Sequence, residues 1–255
     1  VDLIGFHGQT IYHNAKEKIS KQLGDGFLLS QLTKKKVVYN FRQNDILNGG
    51  EGAPLTPVFH QMLSKKFNLN NACFINIGGI LNSTKLNGKN LSATDHGPGM
   101  CLVDEWIRKN TKERFDKDGI LAKSGKINKQ ILDQSFENFF DEGNNKMLSK
   151  SFDIKDFSIA FVKGLSVEDG LSTLVELTAK IINKVLDECE NLNISEKIFL
   201  CGGGRKNQFL IERIKKYNDN FNLVDDLGLN GDFIESQAFA YLGIRSNLNL
   251  PISFP

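Results

Sequence analysis

Asp95 stands in Asp95-His96-Gly97-Pro98-Gly99, directly after an apolar-alternating stretch. A Gly-Pro-Gly turn exposes the preceding carboxylate and stiffens its backbone, as a positioned general base needs, although aspartates also open turns that do no chemistry. Two glycine clusters could seat an anion. Ile75-Asn76-Ile77-Gly78-Gly79-Ile80 brings backbone amides to a tight turn where no Cβ blocks a ligand, and the same pattern makes an ordinary hairpin. Cys201-Gly202-Gly203-Gly204-Arg205-Lys206-Asn207 ends an apolar strand and opens a helix, so a flat ring or a phosphate could lie on bare backbone beside a positive helix end. Neither the dinucleotide fingerprint nor a P-loop is present, because position 207 is Asn and Gly-Lys-Ser/Thr is missing. His7-Gly8-Gln9-Thr10 with His13 collects donors and acceptors suited to a polyhydroxylated ligand, although a histidine after a buried strand is often only structure. Arg42 and Asp45 read equally as an ion pair or as ligand contacts. Glu235 follows Asp232 at capping-box spacing, which gives it the ordinary task of holding a helix N-terminus. No Ser/His/Asp triad is signalled, and His96 beside Asp95 is not metal-ligand spacing.

These residues need elements to carry them. Apolar runs predict strands at Val1–Phe6, Val37–Phe41, Ala72–Ile77, Ile80–Leu86, Leu91–Thr94, Lys197–Cys201 and Phe221–Val224, with Asp95 to Gly99 breaking the fifth. Helical spacing predicts helices over 26–33, 56–67, 100–110, 170–189, 208–216 and 235–244. Of these, 170–189 has the clearest i, i+3, i+4, i+7 pattern. Strands alternate with helices, so the fold class is α/β, with glycine and polar clusters at strand ends where such folds bind ligands. The polar run Asn68 to Asn71 divides the chain into a first lobe, 1–71, and a second lobe, 72–255.

The 255 residues are 40% hydrophobic and 24% charged, the balance of a globular protein with a real core, which excludes disorder, collagen and coiled coil. Lys+Arg 32 against Asp+Glu 30 leaves +2, so charge gives no argument for nucleic acid or a membrane surface. Four scattered cysteines without Cys-x-x-Cys spacing read as reduced thiols, and no apolar stretch reaches the length of a membrane span; a cytoplasmic protein is expected.

Taken in order, the clusters resemble the anhydro-N-acetylmuramic acid kinase family, bacterial cell-wall recycling enzymes of the actin/hexokinase/Hsp70-like ATPase superfamily. The matching segments run from Ile4–Thr10 with His13, through Phe41-Arg42 with Asp45, Gly49–Leu55 and Asn76–Ile80, to Asp95–Gly99. They continue with Asp118-Gly119, Lys150-Ser151, Asp169-Gly170 with Thr173-Leu174, Gly202–Gly204 with Asn207, Glu235 with Ala238–Ala240, and Leu250-Pro251. The resemblance implies a two-lobed actin/hexokinase-like (ribonuclease H-like) fold and ATP with Mg²⁺ as cofactors. It implies hydrolysis of the 1,6-anhydro bond with phosphorylation of O6, giving N-acetylmuramate 6-phosphate and ADP in peptidoglycan recycling. Asp95 takes the role of the base that activates water. Gly78 and Gly79 match the second phosphate loop, and Gly202, Gly203, Gly204 and Asn207 the adenosine loop. His7, Gln9, Thr10, Gly97, Gly99 and Glu235 fall at sugar-binding positions. The partners implied are an amino sugar and ATP, with no nucleic acid or membrane, and a homodimer is allowed for.

The departures carry expectations too. No Gly/Ser/Thr-rich first phosphate loop stands before Val1, Glu51 replaces the usual Gln, and the tail stops soon after Leu250-Pro251. A fragment is therefore expected, with an incomplete first lobe whose opening strand has an unpaired edge and little stability. The Asp-Thr-Gly-Pro-Gly-Asn pattern becomes Asp95-His96-Gly97-Pro98-Gly99-Met100, which could change sugar contacts. The competing reading is a catalytically silent sugar-binding protein that lacks the first phosphate loop.

Overall fold

The structure is a computed structural model that describes residues 1–88, 90–140, 152–192, 194 and 197–253. Lys150 and Ser151 of the resemblance lie outside these residues. In chain order the elements are β1 (Leu3–Gly5), β2 (Gln9–Asn14), β3 (Ile19–Leu23), α1 (Gly26–Thr33), β4 (Lys36–Val38), α2 (Phe41–Leu47), α3 (Pro57–Lys66), β5 (Asn71–Ile77) and β6 (Ile80–Asn87). They continue with β7 (Asn90–Pro98), α4 (Cys101–Asn110), α5 (Ile120–Ser124), α6 (Lys129–Phe140), α7 (Val167–Asn191), β8 (Ile198–Cys201), α8 (Gln208–Lys215), β9 (Asn222–Leu223) and α9 (Ile234–Asn247). The class is mixed α/β, as the alternation of patterns predicts.

The chain forms two units, Val1–Asn68 with Asp232–Pro255, and Leu69–Gly231. The passage falls at the polar run Asn68 to Asn71, but the terminal segment does not stay in the lobe 72–255. It returns to the first unit because α9 buries Phe239 and Leu242 against Phe41, Leu55 and Val58. The strand β1 lets it approach: a side chain at Gly5 would collide with the Phe239 carbonyl, and Gly243 lies over the Gly5 backbone. Such a contact joins the two ends of the sequence, so no local pattern announces it. In this unit β1 pairs in parallel with β4, and β2 pairs antiparallel with β3.

The larger unit is built on a five-stranded sheet of order β7-β6-β5-β8-β9. The β5–β6–β7 meander is antiparallel, while β8 runs parallel to both β5 and β9. Helix α7 is the spine of its core: Val175, Ile181, Ile182 and Val185 pack with Cys73, Ile75 and Ile77 of β5 and Ile198 and Leu200 of β8. Each such side chain contributes about 1.5–3 kcal/mol by leaving water. Ser166 caps the helix by accepting from Asp169 N at 3.1 Å, and Glu168 and Asp169 meet the positive end of its dipole. The buried carboxylate of Glu176 accepts from Arg213 Nη2 (2.7 Å) and Tyr217 Oη (2.6 Å), pinning α8 to α7.

One element differs from the sequence reading in a way that bears on the site. Strand β7 is not broken at Asp95 but continues to Pro98. Its register shifts between Asp95, paired with Asn82, and Gly97, paired with Leu81, so His96 is the extra residue of a β-bulge. The hairpin β2–β3 and the helices α2, α5 and α6 are also additions to the sequence reading.

Candidate functional site

In the larger unit the two glycine clusters meet. A cleft of about 680 Å³ is lined by Gly78 and Gly79 of the β5–β6 turn, by Gly203, Gly204, Lys206 and Asn207 after β8, and by Met100, Asp104 and Arg108 of the α4 face. Its remaining wall, Arg114 to Asp118, is the connection after α4. A Cβ at Gly203 would meet nothing within 4 Å, so bare backbone faces the cleft there. Gly202 has φ 81°, a conformation few L side chains adopt, and turns the chain out of the strand.

Asn207 joins the loop to α8. Its Oδ1 accepts from Leu210 N at 2.9 Å, an N-cap, whereas its Nδ2 is buried and has no hydrogen-bond partner among the described residues. A buried donor left unmade costs about 1–3 kcal/mol, which a ligand acceptor in the cleft would recover. Bare glycine backbone, an unspent amide and the cations Arg108, Arg114, Lys117 and Lys206, interspersed with Asp104, Asp116 and Asp118, offer donors to the phosphates of a nucleotide. The charged wall was not read from sequence. Its signals are the helical spacing of Met100, Asp104 and Arg108 and the alternating charges of Arg114 to Asp118.

The turn bearing Asp95 is zipped onto the Gly78-Gly79 turn. Gly99 N donates to Gly79 O (2.9 Å), Met100 N to Gly78 O (2.8 Å) and Cys101 N to Gly79 O (3.2 Å). A Cβ at Gly99 would strike the Gly78 carbonyl, and Thr178 of α7 holds the Gly99 carbonyl with a 2.8 Å bond. Gly97 packs against the Phe139 ring. Asp95 is half-buried, and its Oδ2 accepts from Phe152 N at 2.9 Å, which orients the carboxylate. Next to Asp95 in the strand, His96 turns its ring to a different partner: Nε2 lies 2.7 Å from Ser83 Oγ, near Lys85, Lys184 and Glu188. Burial lowers its pKa to about 4, so the imidazole is neutral near pH 7. The ring next to Asp95 in sequence is therefore engaged with Ser83 of β6 and lies near Lys184 and Glu188 of helix α7.

The smaller unit gathers its own polar cluster. Arg42 Nε donates to His7 Nε2 at 3.0 Å and Arg42 Nη1 to the Gly52 carbonyl at 2.7 Å. His7 Nδ1 then donates to Gly8 O (2.7 Å), and the ring packs, tilted by 33°, with its centroid 4.3 Å from that of Phe239. Burial, and Arg42 second, lower the pKa of His7, against the opposing pull of Glu235; His13 is lowered by the same two causes and lies near Glu51. Arg42 and Asp45, left open between ion pair and ligand contact, both clamp the loop before α3: Asp45 Oδ2 accepts from Gly52 N at 2.7 Å and its Oδ1 from Ser253 Oγ. Thr10 Oγ1 accepts from Gln22 Nε2 (3.3 Å) in the hairpin, where Gln9 is exposed. Glu235 does not form the capping box expected of it. The N-cap of α9 is Phe233 without a side-chain bond, and Glu235 sits exposed in the first turn within the field of Arg42 and His7.

Other chemistries find little here. Among the described residues no three His, Cys, Asp or Glu side chains group as metal ligands. Asp116, on the cleft wall, spends both oxygens on Leu121 N (3.0 Å) and Ala122 N (2.9 Å). Asp104 and Asp118 line the same cleft, and no residue is assigned to Mg²⁺. The four cysteines are free and buried, and burial pushes the thiols of Cys101 and Cys201 to about 11 and about 12, far from nucleophilic. No helix among the described residues is long and apolar enough to cross a membrane.

A curated anhydro-N-acetylmuramic acid kinase of Pelagibacter ubique is 54% identical over an alignment covering all of this chain and 70% of that protein. Its counterpart in Zymomonas mobilis is 37% identical, again over all of this chain and 69% of that protein. Among solved structures, the activator of 2-hydroxyisocaproyl-CoA dehydratase from Clostridium difficile, with ADPNP bound, aligns with 93% of this chain and 89% of its own at a TM-score of 0.46 and 13% identity. The model of the family described as anhydro-N-acetylmuramic acid kinase matches residues 1–255 without interruption, and with these identities the chain belongs to that family of carbohydrate kinases.

Proposed function

We propose that the chain uses ATP to open the 1,6-anhydro bond of anhydro-N-acetylmuramic acid and to phosphorylate O6, yielding N-acetylmuramate 6-phosphate and ADP in peptidoglycan recycling. The observation that carries the reading is the cleft where both glycine turns and the unspent Asn207 amide converge. There Gly78 and Gly79 receive phosphate oxygens, while Gly202, Gly203, Gly204 and Asn207 hold the nucleoside. Asp95 accepts a proton from the water that attacks the anomeric carbon, the C1–O bond breaks, and the freed O6 takes the γ-phosphoryl group. Bound Mg²⁺ would supply charge neutralisation at the phosphates, and the residues of the chain contribute orientation. Sugar contacts are assigned to His7, Gln9, Thr10 and Glu235, whereas Gly97 and Gly99, buried and with both Gly99 backbone groups bonded, serve by shaping the turn beside Asp95. His7 offers its contact as a neutral ring held in one tautomer by Arg42.

The test is ADP release with Mg·ATP and 1,6-anhydro-N-acetylmuramic acid, against reducing N-acetylmuramic acid, in ¹⁸O-labelled water. The proposal expects ADP with the anhydro sugar and ¹⁸O at C1 of the product. Equal turnover of the reducing sugar, or product without label at C1, would sink it. Binding of both ligands with no ADP would establish the silent sugar-binding reading instead.

A further inference from the structure

The loop Gly202–Asn207 is rich in glycine and costs much entropy to freeze, so something must hold it. Arg205 is 6% exposed and lies underneath. Its Nη1 donates to the Gly202 carbonyl at 2.9 Å, its Nε to Asp225 Oδ2 at 2.7 Å and its Nη2 to Asp225 Oδ1 at 3.1 Å. Asp225 Oδ1 also accepts from Gly231 N at 3.0 Å, and the guanidinium holds the Asp225 carboxyl below the usual carboxylate range. Gly231 closes the arrangement from the other side: a Cβ there would run into the Arg205 guanidinium. A planar fork bonded on its edge and covered on its face has a single geometry. Through it the segment 225–231 and the glycine loop are bound into one unit, although nothing in the sequence links them.

We propose that Arg205, oriented by Asp225 and covered by Gly231, is a positioning residue for the nucleotide: it fixes the Gly202 carbonyl, and with it the loop that presents Gly203, Gly204 and the Asn207 amide to the ligand. The inference rests on the nucleotide reading of the cleft. It adds that nucleotide affinity is set by residues that line no part of it. Asp225 and Gly231 are absent from the cleft wall.

The experiment is calorimetric titration of Mg·ADP and Mg·ATP into the full chain and into Arg205→Met, Arg205→Lys, Gly231→Ala and the double variant Arg205→Met/Gly231→Ala, with KM for the sugar measured alongside. Arg205→Met should weaken nucleotide binding by about tenfold to a hundredfold, the effect of losing a charge-assisted bond, with sugar KM unchanged. Arg205→Lys should recover only part, because a point charge cannot serve Gly202 and both Asp225 oxygens. Gly231→Ala should weaken binding by itself and add nothing in the double variant, since its only effect is to dislodge the guanidinium. Wild-type nucleotide affinity in Arg205→Met, equal losses for sugar and nucleotide, or additive losses in the double variant would overturn the proposal. Absence of nucleotide binding by the unsubstituted chain would overturn the reading of the cleft and this inference together.

Discussion

At the scale of single residues, Asp95 and Asn207 carry the sharpest expectations. Asp95→Asn keeps the size of the group and removes the base, so kcat should fall by about 10²–10⁴-fold with sugar affinity little changed, as rate and binding assays read separately. Parallel losses in both would make Asp95 a ligand contact or a structural residue. Asn207→Asp preserves the oxygen that caps α8 and deletes the buried Nδ2 donor. Thermal stability should therefore hold while nucleotide binding weakens by about tenfold or more. Asp95 was singled out by its Gly-Pro-Gly turn, and Asn207 only through the family resemblance. What their neighbours do was not legible: His96 takes its partner, Ser83, from the adjacent strand β6, and Glu235, spaced for a cap, caps nothing because α9 starts at Ile234.

At the scale of elements, the turn before α4 depends on backbone contact rather than on side chains. Gly99→Ala would drive a methyl into the Gly78 carbonyl and displace the Gly78-Gly79 turn, so turnover and nucleotide affinity should drop together. Thr178→Val removes the buried bond to Gly99 O at nearly constant volume, for an expected cost of about 1–3 kcal/mol in chemical denaturation. Strands β5, β6 and β8 and helix α7 announced themselves through apolar runs and 3.6-residue spacing, because they are buried on most sides. The hairpin β2–β3 did not, since its polar residues are largely exposed and its turn at Lys18 lacks the Asn-Gly signal. Helix α2 hides behind Asn40, whose left-handed backbone ends β4 and starts the helix where the sequence reads a continuing strand.

At the scale of the molecule, all four histidines share one bias: His7, His13, His60 and His96 have lowered pKa values, with burial the first cause in each. His60 falls to about 3 and His96 to about 4 from 6.5. Between these values and 6.5 the unfolded chain binds protons that the folded chain refuses, so the stability is fully present above pH 6.5 and lost as pH falls. Melting temperatures should decline from pH 7 to pH 4.5, with His96 alone contributing on the order of 2 kcal/mol. His96→Gln, which keeps a partner for Ser83, should flatten that decline; an unchanged slope would show that His96 is not buried neutral. By itself the sequence determined the α/β class, the order of glycine turns and the family, since each depends on local composition and spacing. The tertiary structure alone decided that the terminal helix rejoins the first unit, that a wall of alternating cations and carboxylates faces the glycine loops, and that Arg205, Asp225 and Gly231 brace one of them. Those contacts join residues far apart in the chain, and only packing brings them within hydrogen-bonding distance.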